Sequence, residues 1–201
     1  MVKRCEQKLI TELLAPLAGE TILDAGCGTG VFTLDILTSR ARVVGMDLSL
    51  PMLGKAVRKC GSSLFSPIAA DILRLPFQNE KFDKVVSITA LEFIEDARRA
   101  VKELFRVTKS GGIVVVATLN SLSPWAQERR EKARNQETIF SGATFKSPDE
   151  MLALAPFPGI VRTAVHFKND SALEAAITAE KEGRNKNLET GAFVAVRWQK
   201  P

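Results

Sequence analysis

The chain has 201 residues, of which 45% are hydrophobic, and it carries a formal net charge of +5 at pH 7. This length and composition can fill one core of ordinary size, whereas two domains would be a tight fit, so we predict a single domain over residues 1–201. The excess of 28 basic over 23 acidic residues permits an anionic partner without requiring one. Charge alone therefore does not name a substrate, and the oligomeric state stays open.

Two further features exclude other classes of protein. The longest apolar runs, such as residues 113–119, are too short to cross a bilayer, and the first residues lack the apolar segment and cleavage site of a signal peptide. Cys5, Cys27 and Cys60 form no CxxC pair, so neither a disulfide framework nor a zinc site is indicated. We therefore expect a cytoplasmic protein with free thiols, no membrane span and no metal.

The first 120 residues alternate between strand and helix patterns. Apolar residues recur at helical spacing from Leu9 to Leu17 and stop at Gly19, which is typical of a helix end. In chain order the further predicted elements are strand 21–24, helix 30–40, strand 41–47, a helix capped by Ser49, strand 66–71, strand 82–88, helix 96–108 and strand 113–119.

After Asn120 the alternation changes. Residues 121–147 carry many charges, few branched apolar residues and no strand signal, so we interpret them as an inserted segment and as a candidate lid over an acceptor. The remaining predicted elements are a helix capped by Ser147, strand 159–167, helix 171–181 and strand 191–198.

Short apolar strands that alternate with amphipathic helices are typical of parallel pairing with helices on both faces of the sheet. The sequence therefore predicts a doubly wound, Rossmann-like α/β fold.

The stretch ILDAGCGTG (residues 22–30) places glycines at alternate positions between a strand and a helix. Such a loop presents backbone N–H groups and the positive end of a helix to a ligand, and each missing Cβ lets the ligand approach the main chain. The spacing is GxGxG, and Val31 stands where the dinucleotide fingerprint GxGxxG has its third glycine. The loop indicates a nucleotide-like cofactor, although a plain strand-to-helix turn is the alternative interpretation.

Aspartates close three successive predicted strands: Asp24, Asp47 and Asp71. Ligands of open parallel sheets bind beyond the carboxyl ends of the strands, so the three carboxylates are expected at one edge. Asp47 can accept hydrogen bonds from both hydroxyls of a ribose, and Asp71 can accept one from an adenine amine. A helix cap is the alternative for Asp47, but Ser49 already fills that position.

The stretches ILDAGCGTG, VVGMDLS, ADILRLPF, FDKVVSI and ELFRVTKSGG resemble, in order, the motifs of class I S-adenosylmethionine-dependent methyltransferases. The resemblance is closest to the ubiquinone and menaquinone biosynthesis methyltransferases (methyltransferase type 11) and spans roughly residues 20–120. It implies a mostly parallel sheet of seven strands, in which the last strand is antiparallel and lies beside the fifth. It also implies S-adenosyl-L-methionine as the cofactor and a methyl transfer to an acceptor that we expect to be a small molecule.

Carried over by position, the resemblance places Gly26 and Gly28 along the methionine moiety and Asp47 on the ribose. It places Met46 and Leu48 beside the adenine, with Asp71 and Ile72 at the adenine edge. The complete predicted cofactor site consists of Asp24, Gly26, Cys27, Gly28, Asp47, Leu48, Asp71, Ile72 and Thr89.

A general base is optional for this reaction, because holding the reactants in line supplies much of the rate. The chain has no tyrosine and a single histidine, His166, which we expect on the solvent side of the predicted strand 159–167. Glu92 follows the strand 82–88, where members of this family contact the substrate, and it is the candidate catalytic residue. A solvated surface residue is the alternative for Glu92.

Three alternative functions remain. A nicotinamide dehydrogenase would share the fold, but the missing third glycine opposes it. A nucleic-acid methyltransferase could use the basic residues of segment 129–134, although the interleaved glutamates indicate a salt-bridged helix face. The third alternative is a non-catalytic subunit that binds S-adenosylmethionine.

Overall fold

The computed structural model describes residues 1–135, 138 and 140–201. The strands are β1 (Thr21–Ala25), β2 (Arg42–Asp47), β3 (Phe65–Ala69), β4 (Phe82–Ile88), β5 (Thr108–Leu119), β6 (Gly159–Ala164) and β7 (Phe193–Gln199). The helices are α1 (Val2–Leu14), α2 (Val31–Leu37), α3 (Leu50–Cys60), α4 (Ala97–Val107), α5 (Pro124–Asn135), α6 (Pro148–Leu152) and α7 (Leu173–Asn185), and a 3₁₀ turn covers Leu91–Phe93.

The seven strands form one sheet in the order β3-β2-β1-β4-β5-β7-β6. The pairs from β3 to β5 are parallel, whereas β7 is antiparallel to both β5 and β6. In the β5–β7 ladder, for example, Val114 lies opposite Trp198. The prediction of a mostly parallel sheet with an antiparallel last strand beside the fifth is confirmed.

Two apolar clusters fill the two faces of the sheet. On one face α1 and α7 contribute Leu9, Leu14 and Ala176 against Val115 and Ala195 of the strands. On the other face α4 and α6 pack against the opposite side chains of the same strands. Because β-strand side chains alternate between faces, the central strands are buried on both sides, as a doubly wound sheet requires.

Helix caps confirm three predicted boundaries. The side chain of Ser49 accepts a hydrogen bond from the amide of Met52 at the start of α3. Asp96 accepts one from the amide of Arg99 at the start of α4. Ser147 and Glu150 form a reciprocal capping box at α6.

Other predicted boundaries are wrong. Helix α1 ends at Leu14, before the predicted end at Gly19, because Ala15 adopts a left-handed conformation with φ 43° and Pro16 follows it. Strand β5 begins at Thr108, where an irregular register allows it to pair with Phe82 before the regular ladder starts.

His166 does not lie on a solvent-facing strand, so that prediction is wrong. Strand β6 ends at Ala164, because Val165 has a φ of 67° and turns the chain away from the sheet. The imidazole of His166 is half-buried, and it packs so closely on Gly183 and Gly191 that a Cβ at either glycine would collide with it. The ring fills a space between α7 and the segment that leads into β7.

None of the helices among the described residues is both long enough and apolar enough to span a membrane.

Candidate active site at the carboxyl edge of the sheet

A cleft of about 580 Å³ opens at the carboxyl ends of β1, β2 and β4. This volume lies in the usual range for small-molecule sites. The cleft brings together all of the predicted cofactor residues except Asp71. Its lining residues are Asp24, Gly26, Cys27, Gly28, Thr29, Val31, Phe32, Asp47, Leu48, Ser49, Met52, Ile72, Ile88, Thr89, Ala90, Phe93 and Ile94.

The glycine loop exposes its main chain to this cleft. Gly26 has a φ of 81°, and a Cβ at this position would lie 2.6 Å from the Cβ of Ala90. Gly28 has a φ of 53°, and a Cβ there would meet no atom within 4 Å. Both positions therefore need the left-handed conformation that glycine adopts without strain. Gly26 also allows the turn after β4 to approach the loop, whereas Gly28 leaves bare backbone facing the open cleft.

Asp47 connects the end of β2 to the glycine loop. Its Oδ2 accepts a hydrogen bond from the amide of Gly28 at 2.7 Å, and its Oδ1 accepts one from the amide of Ser49 at 2.9 Å. An ionised carboxylate offers about four lone-pair positions. Two backbone donors fix the carboxylate and leave acceptor capacity towards the cleft.

Asp24 is buried at the end of β1, and only 2% of its surface is exposed. Burial raises the pKa of this carboxyl to about 6, against the effect of a hydrogen bond from Thr33, and the neighbouring charge of Asp47 raises it further. The Thr33 hydroxyl donates to Oδ2 at 2.6 Å. Asp24 is thus a carboxyl group whose ionised form would be favoured by a cationic ligand group in the cleft.

The part of the chain that builds this cleft is similar to a known family. Residues 23–116 match the family model described as a methyltransferase domain, and these residues contain the glycine loop, Asp47 and the turn after β4. This part of the chain is similar to methyltransferase domains. The predicted resemblance to S-adenosylmethionine-dependent methyltransferases is confirmed for these residues, and S-adenosyl-L-methionine is the cofactor that it implies.

This chain is similar to two curated methyltransferases. It is 39% identical over 108 residues to a malonyl-[acyl-carrier protein] O-methyltransferase of Hamiltonella defensa, a match that covers 53% of this chain and 41% of the relative. It is 38% identical over 108 residues to a demethylmenaquinone methyltransferase of Thermobifida fusca, and this match covers 52% of this chain and 46% of the relative. The matched part thus spans less than half of each relative.

A solved structure shares the fold of this chain over its whole length. A protein of Thermotoga maritima, described as an S-adenosylmethionine-dependent methyltransferase and a possible histamine N-methyltransferase, superposes with a TM-score of 0.78. The sequence identity is 23%, and the match covers 100% of this chain and 90% of the other. At this identity the comparison shows the fold only.

Asp71 is the predicted cofactor residue that the cleft does not include. It lies after the end of β3, its side chain is exposed, and its Oδ1 accepts a hydrogen bond from the amide of Leu73 at 2.9 Å. This local bond is the usual way in which an aspartate stabilises a turn. The next residue, Ile72, is buried and lines the cleft.

Cys27 has the properties of a packing residue. Its thiol is buried within the glycine loop, and burial, with the nearby charges of Asp24 and Asp47, raises its pKa above the ordinary range. A thiol held in its neutral form is a poor nucleophile.

Glu92 lies behind the turn that closes the cleft and does not line it. The residue is 2% exposed, and its Oε1 accepts a hydrogen bond from the amide of Leu119 at the end of β5, at 3.1 Å. Its backbone carbonyl accepts another from the amide of Thr144 at 2.8 Å. Oε2 is buried without a partner among the described residues, and burial raises the pKa of the carboxyl. Glu92 is therefore not a solvated surface residue.

Two aromatic residues near the site differ in position. Phe93 is 53% exposed and lines the cleft. Trp125 on α5 does not reach the cleft, because its indole packs against the Phe167 ring and donates a hydrogen bond to the carbonyl of Phe167 at 2.8 Å.

Sequence reasoning missed two apolar residues of the cleft. Phe32 lies in the first turn of α2, and Met52 lies in the first turn of α3. The signal was available, because the first turn of a helix that follows a parallel strand begins at the carboxyl edge of the sheet.

Proposed function

We propose that this chain transfers a methyl group from S-adenosylmethionine to an acceptor that binds next to the turn after β4. One observation carries the proposal: the bare backbone of Gly28 and the carboxylate of Asp47 face the same cleft and are hydrogen-bonded to each other. This arrangement suits a ligand with a diol and a compact polar tail.

The residues of the cleft fit the parts of S-adenosylmethionine. Asp47 has acceptor positions for the two ribose hydroxyls, and its orientation is already fixed by two amides. Leu48 is 75% exposed and can cover one face of the adenine, with Ile72 at the adenine edge. Asp71 could reach that edge after a change in its side-chain conformation, since its carboxylate now stabilises a turn.

The methionine part of the cofactor would lie along the glycine loop. Gly26, Gly28 and Cys27 supply main-chain surface there, and Thr89 borders the loop at the end of β4. Asp24 places a carboxyl at the floor of this part, where it would favour a cationic ammonium group.

S-adenosylmethionine supplies a methyl group on a sulfonium whose leaving group is a neutral thioether. The protein then needs to hold the acceptor in line and to exclude water, and well-oriented reactants can gain an effective molarity of about 10⁵ to 10⁸ M. Glu92 remains the candidate proton acceptor for an acceptor that approaches from the β5 side. Its raised pKa brings the carboxyl closer to the range that suits a general base.

We further propose that the acceptor is a small molecule or a group carried on a small protein, as the names of the two relatives indicate for those proteins. Nothing in the cleft favours a nucleic-acid acceptor. Strands from residue 21 to residue 199 share one sheet, which supports one domain over residues 1–201. The three free cysteines support the expected cytoplasmic location.

Calorimetry with S-adenosylmethionine, S-adenosylhomocysteine and NAD tests the cofactor site, and incubation with labelled S-adenosylmethionine and a metabolite extract tests the transfer. We expect binding of both sulfur nucleosides, no binding of NAD and a labelled product. Binding of NAD alone would overturn the proposal. Binding of the sulfur nucleosides without labelling of any extract would favour a non-catalytic subunit.

A further inference from the structure

Arg129 on α5 holds a guanidinium group between two aromatic rings. Its Cζ lies 5.3 Å from the centroid of the Trp125 ring and 5.4 Å from that of Phe140. Aromatic faces attract cations, and the attraction is larger where water is excluded. The rings therefore hold the cationic group in a partly desolvated position.

This guanidinium has no counter-ion in direct contact among the described residues. Its Nη1 is buried and has no hydrogen-bond partner, and the ion pairs formed by the described residues do not include Arg129. Burial lowers its pKa, and the more distant carboxylates of Glu6, Glu128 and Glu92 oppose that shift. A guanidinium remains protonated in proteins, so a positive charge with a free donor is left.

The expectation that segment 129–134 forms a salt-bridged helix face is therefore wrong for the described residues. Its neighbour Arg130 is exposed and stacks over Phe145 at 5.8 Å. Within residues 129–134, only Arg129 combines a half-buried side chain, two aromatic neighbours and a buried donor without a partner among the described residues. Such a donor in a folded protein calls for a physical explanation.

The position of Arg129 relates it to the proposed reaction. Helix α5 follows β5, whose carboxyl end lies beside that of β4. The turn after β4 separates the cofactor cleft, which Phe93 lines, from the α5 side, where Glu92 is bonded to Leu119. A smaller cavity of about 260 Å³ lies on the α5 side, and Trp125, Arg129 and Lys132 are among its lining residues.

We propose that Arg129 is a specificity-determining residue that binds an anionic group of the methyl acceptor, a carboxylate or a phosphate, in this smaller cavity. The proposal rests on the proposed function. A guanidinium can donate two parallel hydrogen bonds to either anion, and Nη1 is a donor without a partner among the described residues. Lys132 adds a second positive charge to the cavity, and Glu128, which also lines it, contributes one negative charge. The acceptor class is thus an acid rather than a neutral or cationic molecule.

Binding of small probes tests this proposal without knowledge of the acceptor. Benzoate, phenyl phosphate and neutral benzamide are titrated into protein saturated with S-adenosylhomocysteine, and the fluorescence of Trp125 is recorded. Trp125→Phe identifies the signal, since Trp198 is fully buried in the core. We expect at least one of the two anions to bind about tenfold or more tightly than benzamide, as a charged hydrogen bond provides. The relative affinity of the two anions distinguishes a carboxylate from a phosphate.

Substitutions test whether Arg129 is the residue that binds the anion. Arg129→Gln should remove the preference for the anion, Arg129→Lys should retain part of it, and the exposed control Arg130→Gln should leave it unchanged. The proposal is overturned if neither anion binds more tightly than benzamide. It is also overturned if Arg129→Gln and Arg130→Gln reduce the affinity for the anion by the same factor. Calorimetry with S-adenosylhomocysteine on Arg129→Gln should give the wild-type dissociation constant. A failure of wild-type protein to bind that nucleoside would instead count against the proposed function.

Discussion

The Oδ2 atom of Asp47 lies 2.7 Å from the amide nitrogen of Gly28, so the end of β2 holds the loop that follows β1. The strands β1 and β2 are adjacent and parallel, with Asp24 opposite Gly45. This register brings the carboxylate to the level of the loop. Asp47 thus has two roles, because it fixes the glycine loop and presents acceptor positions to the cleft.

Replacement of Asp47 by alanine tests both roles. Two charge-assisted hydrogen bonds to ribose hydroxyls at about 1.5 to 3 kcal/mol each predict that Asp47→Ala weakens binding of S-adenosylhomocysteine by about a hundredfold or more. Isothermal titration calorimetry measures the change, and the melting temperature of the free protein reports the loss of the bond to Gly28. The exposed Asp149→Ala serves as the control. An unchanged dissociation constant would remove Asp47 from the cofactor site.

Gly26→Ala should weaken cofactor binding and destabilise the protein. The new Cβ would lie 2.6 Å from that of Ala90, in a residue that already has a φ of 81°. Gly19→Ala is a matched control, because Gly19 has a φ of 83° but no atom within 4 Å of the Cβ position. We expect Gly19→Ala to cost about 1 kcal/mol from backbone strain alone and Gly26→Ala to cost more. If urea unfolding gives the same loss of stability for Gly26→Ala and Gly19→Ala, the contact with Ala90 is unimportant.

The burial of Asp24 predicts a pH dependence of the free energy of unfolding. Its pKa is raised to about 6 from an ordinary value of 3.8, so the folded state binds a proton that the unfolded state releases. The associated stability is present at low pH and is lost as the pH rises through 6. Asp24→Asn can still accept the Thr33 hydrogen bond. It should therefore gain stability relative to wild type between pH 4 and 7, by roughly 1 to 3 kcal/mol.

Urea unfolding at several pH values without cofactor measures this difference, with the exposed Asp170→Asn as the control. A difference between Asp24→Asn and wild type that stays constant from pH 4 to pH 7 would contradict the assigned cause.

The ion pair of Glu103 and Arg106 also predicts a pH dependence of the free energy of unfolding. Its sign is opposite to that predicted for Asp24. Nε of Arg106 donates to Oε1 of Glu103 at 2.7 Å, and Oε2 also accepts from the amide of Leu75 at 3.0 Å. The Arg106 hydrogen bond lowers the pKa of Glu103 from its ordinary value of 4.5, against a smaller effect of burial. The stability from this pair is therefore present above pH 4.5 and is lost as the pH falls through the lowered pKa.

We expect Glu103→Gln to cost on the order of 1 kcal/mol at pH 7, because the pair is only partly buried and solvent still screens it. The difference from wild type should be smaller at pH 3, because the carboxylate becomes protonated as the pH falls through the lowered pKa. Chemical unfolding at the two pH values measures it, and the exposed Glu95→Gln is the control. A cost that persists undiminished at pH 3 would indicate a packing effect instead of an ion pair.

The strands, the helix caps and the edge that carries the cleft could be predicted because they depend on local patterns. Ser49 and Asp96 cap helices in the structure as their sequence context indicates. The place of β7 between β5 and β6 depends on contacts distant in sequence, so only the family resemblance indicated it. The direction of a side chain in a turn was not predictable. Glu92 points towards β5 because a single 3₁₀ turn rotates it away from the cleft.

The packing of His166 also depends on residues distant in sequence, so it could not be predicted from the local pattern. Alternation of polar residues predicted an exposed ring, but the positive φ of Val165 ended the strand. The glycines that accommodate the ring are 17 and 25 residues further along the chain, at Gly183 and Gly191. No local pattern indicates such a pairing.

The placement of β7 between β5 and β6 also has a consequence for the order in which the protein acquires its structure. Among the described strands, β6 pairs with β7 alone, and β7 is made after it. During synthesis, β1 to β5 can form a sheet while β6 has no neighbour to join. Strand β7 must then insert beside β5 and bring β6 with it. This step pairs residues as far apart in sequence as 113 and 199. Such non-local pairing is slow, so the free edge of β5 is the surface that a nascent chain would expose for longest.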